Sequence, residues 1–250
     1  FIPLSLVLLF LVLAGRDLGT GIIMAAIFAL LLWFVGTPLR ILVPLGAMAL
    51  GLVALLVYGS ANRMSRIQIF LDPSSNTDLS SQPMSALYAL ASGGWWGLGL
   101  GASRQKWGGL KTGAHTDYIF AVIGEELGLF GVLAVIVAFG LLAYAGFEIA
   151  RRSDTVFGRL AAAGITGWFL VQAIINIFVV MHLLPVLGVP LPFVSYGGSA
   201  LLANLLAVGV LLACAKQTPE AQRYLRSKKR RKQGGRRRMT SVMAASKGDQ

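Results

Sequence analysis

Apolar residues fall in long unbroken blocks along this chain, at 1–14, 20–36, 39–58, 117–149, 160–184 and 198–215. Crossing a hydrocarbon core takes about 20 apolar residues, so these blocks predict six membrane spans, the first of them short. Inside a bilayer every backbone N–H and C=O must be satisfied within the protein, which makes the spans helices. The strict polar/apolar alternation of a β-barrel strand is absent. The pattern therefore predicts an all-α, polytopic membrane helix bundle over residues 1–215, with one large loop at 59–116 and a polar tail at 216–250.

Within the loop the pattern changes three times. Pro73 to Asp78 is turn chemistry. Pro83 to Ala91 predicts a short amphipathic helix lying at the interface. Gly93-Gly94-Trp95-Trp96-Gly97-Leu98-Gly99-Leu100-Gly101 combines glycine with indole, which prefers the membrane–water boundary, so this segment is expected to skim or re-enter the leaflet. Its Gly-x-Gly spacing lacks the strand–turn–helix setting of a dinucleotide site.

Composition agrees: 56% hydrophobic, 13% charged, mean hydropathy +0.73. The net charge of +12 is concentrated, because residues from Lys216 onward hold 12 of the 22 Lys/Arg and 2 of the 10 acids. Such a run reads as a solvated, disordered tail that keeps the carboxy terminus in the cytoplasm, with contact to anionic lipid or an acidic partner as the alternative. No aromatic or folded module accompanies it, which argues against nucleic acid as a partner. Counting back, Arg151, Arg152 and Arg159 share the cytoplasmic side, and the 59–116 loop lies outside with the turn at 185–198. That loop nevertheless carries Arg63, Arg66, Arg104, Lys106 and Lys111 against Asp72 and Asp78. Cations kept outside point to an anionic ligand such as a phosphate, with incidental loop charge as the plain alternative. The lone Cys214 excludes an intrachain disulfide and reads as a small buried residue. The chain begins at Phe1, so the first span is expected to be cut short and the chain to be the carboxy-terminal part of a larger protein.

Three acids enter the fourth apolar block: Asp117 at its edge, Glu125 and Glu126 within it. Acids in such places are costly and need a reason. Asp117 opens the helix, where Thr116 or Asp117 serves as amino-terminal cap, or where Asp117 is free for chemistry. Glu125 lies about 12 Å deeper and about 80° around the helix, too far to form a two-carboxylate pair with Asp117. Glu125 and Glu126 read as structural polar residues bonded inside the bundle, to Gln172, Asn176 or Asn204. Gly124, Gly128 and Gly131 are expected to let another helix approach there. His115 is a base or a loop hydrogen-bonder. Two histidines and one cysteine make a structural zinc site implausible, whereas Mg²⁺ held by Asp117 and phosphates fits the oxygen donors.

Five motifs occur in order: Asp17-Leu18-Gly19-Thr20; Gly99-Leu100-Gly101 followed by Gln105-Lys106; Ala114-His115-Thr116-Asp117-Tyr118-Ile119-Phe120; Gly124-Glu125-Glu126-Leu127-Gly128; and Pro192-Phe193-Val194-Ser195-Tyr196-Gly197-Gly198-Ser199. Together they resemble the SEDS family (shape, elongation, division and sporulation), and its division branch over its elongation branch. The resemblance implies ten spans in a complete protein and a peptidoglycan glycosyltransferase that polymerises lipid II outside the cytoplasmic membrane, on undecaprenyl-pyrophosphate-linked glycan. It implies a class B penicillin-binding protein and other division proteins as partners. A lipid II flippase or a non-catalytic division scaffold are the alternatives. The family's essential loop aspartate falls on Asp117, as catalytic base. Arg63, Arg66, Gln105, Lys106, His115 and Ser195 are then the substrate-binding candidates, with room for a divalent cation, Mg²⁺ or Mn²⁺. Two departures touch the expected cleft: Leu110-Lys111-Thr112-Gly113 is one residue longer than the family's loop, and Leu187 stands where relatives are often polar.

Overall fold

The structure is a computed structural model that describes residues 7, 10–13, 15, 17–73, 77–110, 113–225 and 227–228. Its helices are α1 (Leu18–Val35), α2 (Leu39–Tyr58), α3 (Ala61–Leu71), α4 (Thr77–Gly93), α5 (Ile119–Arg152), α6 (Val156–Val180) and α7 (Gly198–Gln217). Five of them, α1, α2, α5, α6 and α7, are long and apolar enough to cross a membrane. The span expected at 1–14 lies largely outside the described residues, as does the basic tail beyond Lys228.

The large loop is more ordered than its sequence pattern suggests. It holds two helices in place of the single short one expected at 83–91. Residues 61–71 contain no glycine or proline, and turning them into α3 buries Ile69 while leaving Arg66 exposed. α4 extends the expected interfacial helix in both directions and carries Pro83 within it.

The bundle is organised around α6. Of its apolar stretch 56% is buried, against 6–22% for the other four spanning helices, so α6 is the internal post and the others present their apolar faces outward. It packs on α1, α5 and α7 and touches α4. Its buried face is rich in small residues, Ala162, Ala163, Gly164 and Gly167 among them, which lets neighbouring backbones approach where no hydrophobic force drives helices together. Cys214 is buried beside Ala150, Ala162, Ala163 and Leu211, as its small apolar character implies.

At 34 residues α5 would be about 50 Å long if straight, well beyond a core of about 30 Å. The chain solves this by breaking. Gly128 has φ 64° and ψ −157°, a region open essentially to glycine alone, and divides α5 into 119–127 and 129–152. The glycine–tryptophan segment is threaded into the break. Leu98 N donates to Glu125 O (2.9 Å), Gly99 N to Glu126 O (3.0 Å), and Leu129 N to Gly94 O (2.9 Å). These bonds satisfy the backbone groups that the break releases. Contact is so close that a Cβ on Gly97 would overlap Glu126 O, and one on Gly128 would stand 2.6 Å from Trp95 O. The expected close approach at Gly124 also holds, since a Cβ there would meet Leu90 of α4 at 2.5 Å; the atoms nearest a Cβ at Gly131 belong to Leu127 and Ile123 of its own helix.

The two ends of the bundle differ. At one, Arg152 pairs with Glu148 (2.6 Å) and with Glu220, tying the end of α5 to the residues after α7. At the other, the 113–118 loop, α3, and the turn at 181–197 converge around Asp117.

Candidate active site

α5 begins at Ile119, with Tyr118 at its cap position and no side chain capping it. Neither Thr116 nor Asp117 therefore acts as the amino-terminal cap that the sequence allowed. Residues 113–118 instead form a series of turns, Thr116 N and Tyr118 N both donating to Gly113 O. Side chains and backbone from the 189–196 segment and α6 fasten this loop. Ser195 Oγ donates to Thr116 O (2.6 Å), Tyr196 N to His115 O (2.8 Å), and Asn176 Nδ2 to Asp117 O (2.8 Å).

The Asp117 carboxylate is half-buried. Burial pushes its pKa above the ordinary carboxylate value, and the Arg66 guanidinium opposes that rise. A methyl placed on Gly188 would stand 3.8 Å from Asp117 Oδ2, so the carboxylate lies against that turn. Arg66 reaches the same turn, Nη1 donating to Val186 O (3.1 Å). The shared turn borders a cavity of about 700 Å³ between α1, α2, α3 and α6. One part of its wall is polar, from Asp17, Ser60, Asn62, Arg63 and Arg66. The rest is apolar, including Ile22, Val53, Val57, Ile67 and Ile175. Such a cavity suits an amphiphile with an anionic head. Leu187, the departure noted in the turn, lines it, and its carbonyl would stand 2.5 Å from any Cβ at Gly19. Asp17 also lines it, but both its oxygens are held by Thr20, through N (3.0 Å) and Oγ1 (2.6 Å), as the amino-terminal cap of α1.

Among the expected binding residues, the structure brings Arg63 and Arg66 to the wall of this cavity, Arg63 Nη1 donating to Leu56 O (3.1 Å) and Arg66 acting on the nearby Asp117. Gln105 and Lys106 are elsewhere: their amides belong to a turn wrapped around Glu125, and Lys106 Nζ sits 5.9 Å from the Trp107 ring centre. His115 is exposed and, among the described residues, is bonded through its carbonyl. Ser195 is buried, and its hydroxyl is committed to Leu191 N (2.7 Å) and Thr116 O, so it holds the loop in place. Lys111 and Thr112, in the longer loop, lie outside the described residues.

The partners expected for the glutamates are different ones. Glu125, 1% exposed, accepts from Ser103 Oγ (2.5 Å), Arg104 N (2.9 Å) and Gln105 N (3.4 Å). Glu126 Oε1 is buried with no hydrogen-bond partner among the described residues. Gln172 and Asn176 serve the turn instead, donating to Pro190 O (2.8 Å) and Val189 O (2.7 Å). The sequence reading missed this because a buried carboxylate in a helix suggests helix partners, whereas backbone N–H groups of an irregular loop are equally good donors. Among the described residues no group of three or more His, Cys, Asp or Glu gathers that could cage a metal. Asp117 is a lone carboxylate beside an arginine, which suits a cation carried mainly by a substrate's phosphates and does not make a dedicated metal site.

Comparison with known proteins bears on the family and the fold. The family model described as "Cell cycle protein" (FtsW, RodA, SpoVE) matches residues 1–220. The probable peptidoglycan glycosyltransferase FtsW of Trichlorobacter lovleyi is 41% identical over 213 residues, 85% of this chain and 56% of that protein. The protein of the same description from Mycobacterium tuberculosis is 42% identical over 227 residues, 90% of this chain and 43% of that one. The chain thus spans about half the length of the curated relatives it matches. Among solved structures, one described as "Structural coordination of polymerization and crosslinking by a peptidoglycan synthase complex" superposes with TM-score 0.70 at 30% identity, covering 86% of this chain and 61% of that one. The rod shape determining protein RodA of Thermus thermophilus superposes with TM-score 0.58 at 28% identity, covering 86% and 55%. The chain is a multi-pass membrane protein and belongs to the FtsW/RodA/SpoVE family of cell cycle proteins.

Proposed function

We propose that this protein is a peptidoglycan glycosyltransferase that polymerises lipid II during cell division. The observation that carries this reading is Asp117, a half-buried carboxylate with no hydrogen bond to its oxygens among the described residues, in the field of Arg66 and against the Gly188 turn that borders an amphiphilic cavity. Asp117 takes the proton of the acceptor sugar's 4-hydroxyl as that oxygen bonds to the donor's anomeric carbon, with inversion. The bond from that carbon to the pyrophosphate oxygen breaks, and its electron pair leaves with the undecaprenyl pyrophosphate. Arg63 and Arg66 stabilise the charge gathering on the leaving group, and the prenyl chain follows the apolar wall. A divalent cation, Mg²⁺ or Mn²⁺, arriving with the pyrophosphate would add positive charge there. The raised carboxyl pKa favours this role, since a base works best with a pKa drawn toward the working pH.

The site end of the bundle then faces outward and the carboxy terminus lies in the cytoplasm, in keeping with the basic tail. A class B penicillin-binding protein is the expected partner, by analogy with the synthase complex that this chain resembles. Asp117→Asn in the full-length protein, reconstituted in liposomes with that partner, is expected to lower glycan polymerisation by about 10²–10⁴-fold. Undiminished polymerisation, together with lost lipid translocation, would overturn the reading in favour of a transporter.

A further inference from the structure

Gln172 and Asn176 stand one turn apart on the same face of α6, both buried. Both donate to the backbone of the 189–190 turn, but only Asn176 does something more. Its single NH₂ group gives one bond to Val189 O (2.7 Å) and another to Asp117 O (2.8 Å). Two carbonyl acceptors on one NH₂ fix the amide's orientation, because the reversed amide would set oxygen against oxygen. The price is visible: Asn176 Oδ1 is buried with no partner among the described residues, at a cost of about 1–3 kcal/mol. A side chain serving stability alone has no need of that arrangement, since Gln172 already anchors the same turn.

What the arrangement provides is a common reference. Arg66 is bonded to Val186 O, and Gly188 stands against the Asp117 carboxylate. No ion pair joins Asp117 to Arg66, although the arginine's field acts on the carboxylate. Their separation is therefore set indirectly, through residues 186–189 and the Asn176 amide. We propose that Asn176 is the positioning residue of Asp117, one amide locking the backbone of residue 117 to the turn that also holds Arg66. This rests on the reading of Asp117 as the base.

The test uses the full-length protein in liposomes with four forms: wild type, Asn176→Ala, Asn176→Asp and Gln172→Ala. Asn176→Asp keeps the volume and so guards against misfolding, but a protonated carboxyl has one O–H and serves only one of the two carbonyls. Both Asn176 variants are expected to lower kcat by about 10²-fold, the usual consequence of a displacement near 1 Å, with KM close to wild type. The second readout needs no turnover: titration of the Asp117 carboxyl by isotope-edited infrared spectroscopy. The groups acting on it are Arg66 from α3 and the adjoining Tyr118. Freed from Asn176, the carboxyl is expected to meet more water and titrate at lower pH, whereas Gln172→Ala leaves its titration unmoved. Equal titration curves in the Asn176 and Gln172 variants overturn the inference. Absence of polymerisation by the wild type overturns the proposed function and leaves the titration to decide the positioning role.

Discussion

Asp117 and Glu125 are eight residues apart, both acids, and both partly or wholly out of water. Their surroundings divide them. Around Glu125 the chain folds so that a hydroxyl and two backbone amides fill its oxygens, and 1% of it remains exposed. Around Asp117 the loop is pinned through carbonyls, at His115, Thr116 and residue 117 itself, while the carboxylate oxygens receive no bond from the described residues. One acid is consumed by the fold and the other is delivered by it. Between these two acids the difference lies less in burial than in the filling of their acceptors.

That contrast makes Asp117→Asn the most informative change. It removes the proposed base with nearly no change in shape, so the loss of about 10²–10⁴-fold expected in polymerisation should come with an unaltered melting temperature. Glu125→Ala inverts the pattern. It strands Ser103 Oγ and the Arg104 amide, and an expected loss of about 2–4 kcal/mol should appear as earlier unfolding in detergent, with Glu125→Gln recovering part of it. Equal melting of Glu125→Ala and wild type would erase the distinction. Arg66→Gln probes the Asp117 side alone. Burial raises this carboxyl's pKa and Arg66 holds it down, so losing the arginine raises it further. On the proposed mechanism Asp117 must be ionised to act, so activity falls as pH falls through that pKa, and the acid limb of kcat/KM should move to higher pH. Asp17→Ala, at the far side of the cavity, removes only a helix cap and should cost about 1 kcal/mol by thermal melting.

Hydrophobic blocks made the spanning helices legible, because a 20-residue apolar run has few alternatives in a membrane. α3 was not legible, since its stability comes from laying Ile69 inward and its arginines toward a cavity, which no local pattern records. The break at Gly128 was half visible: the helix was evidently too long and rich in glycine, but only the threaded 93–101 segment shows how its backbone groups are satisfied. Asp117 was singled out by its edge position and by resemblance. Arg63 and Arg66 followed from charge on an unexpected side. Lys106 shared that charge but not the place, because its turn wraps Glu125. Asn176 carried a signal, an amide at four-residue spacing from Gln172 in an apolar helix, but not the identity of its partners.

An unbroken α5 would be a stiff strut running from Arg152 to the edge of the site. With its joint at Gly128 it is an elbow, and the 94–99 backbone is the splint that keeps the elbow at one angle. Trp96 lies on that splint, ring to ring with Phe130 just past the joint at 5.0 Å, and 81% of it is exposed. The splint sits between the segment that starts beside Asp117 and the one that ends at Arg152, and it carries two exposed indoles, Trp95 and Trp96, on its outer side.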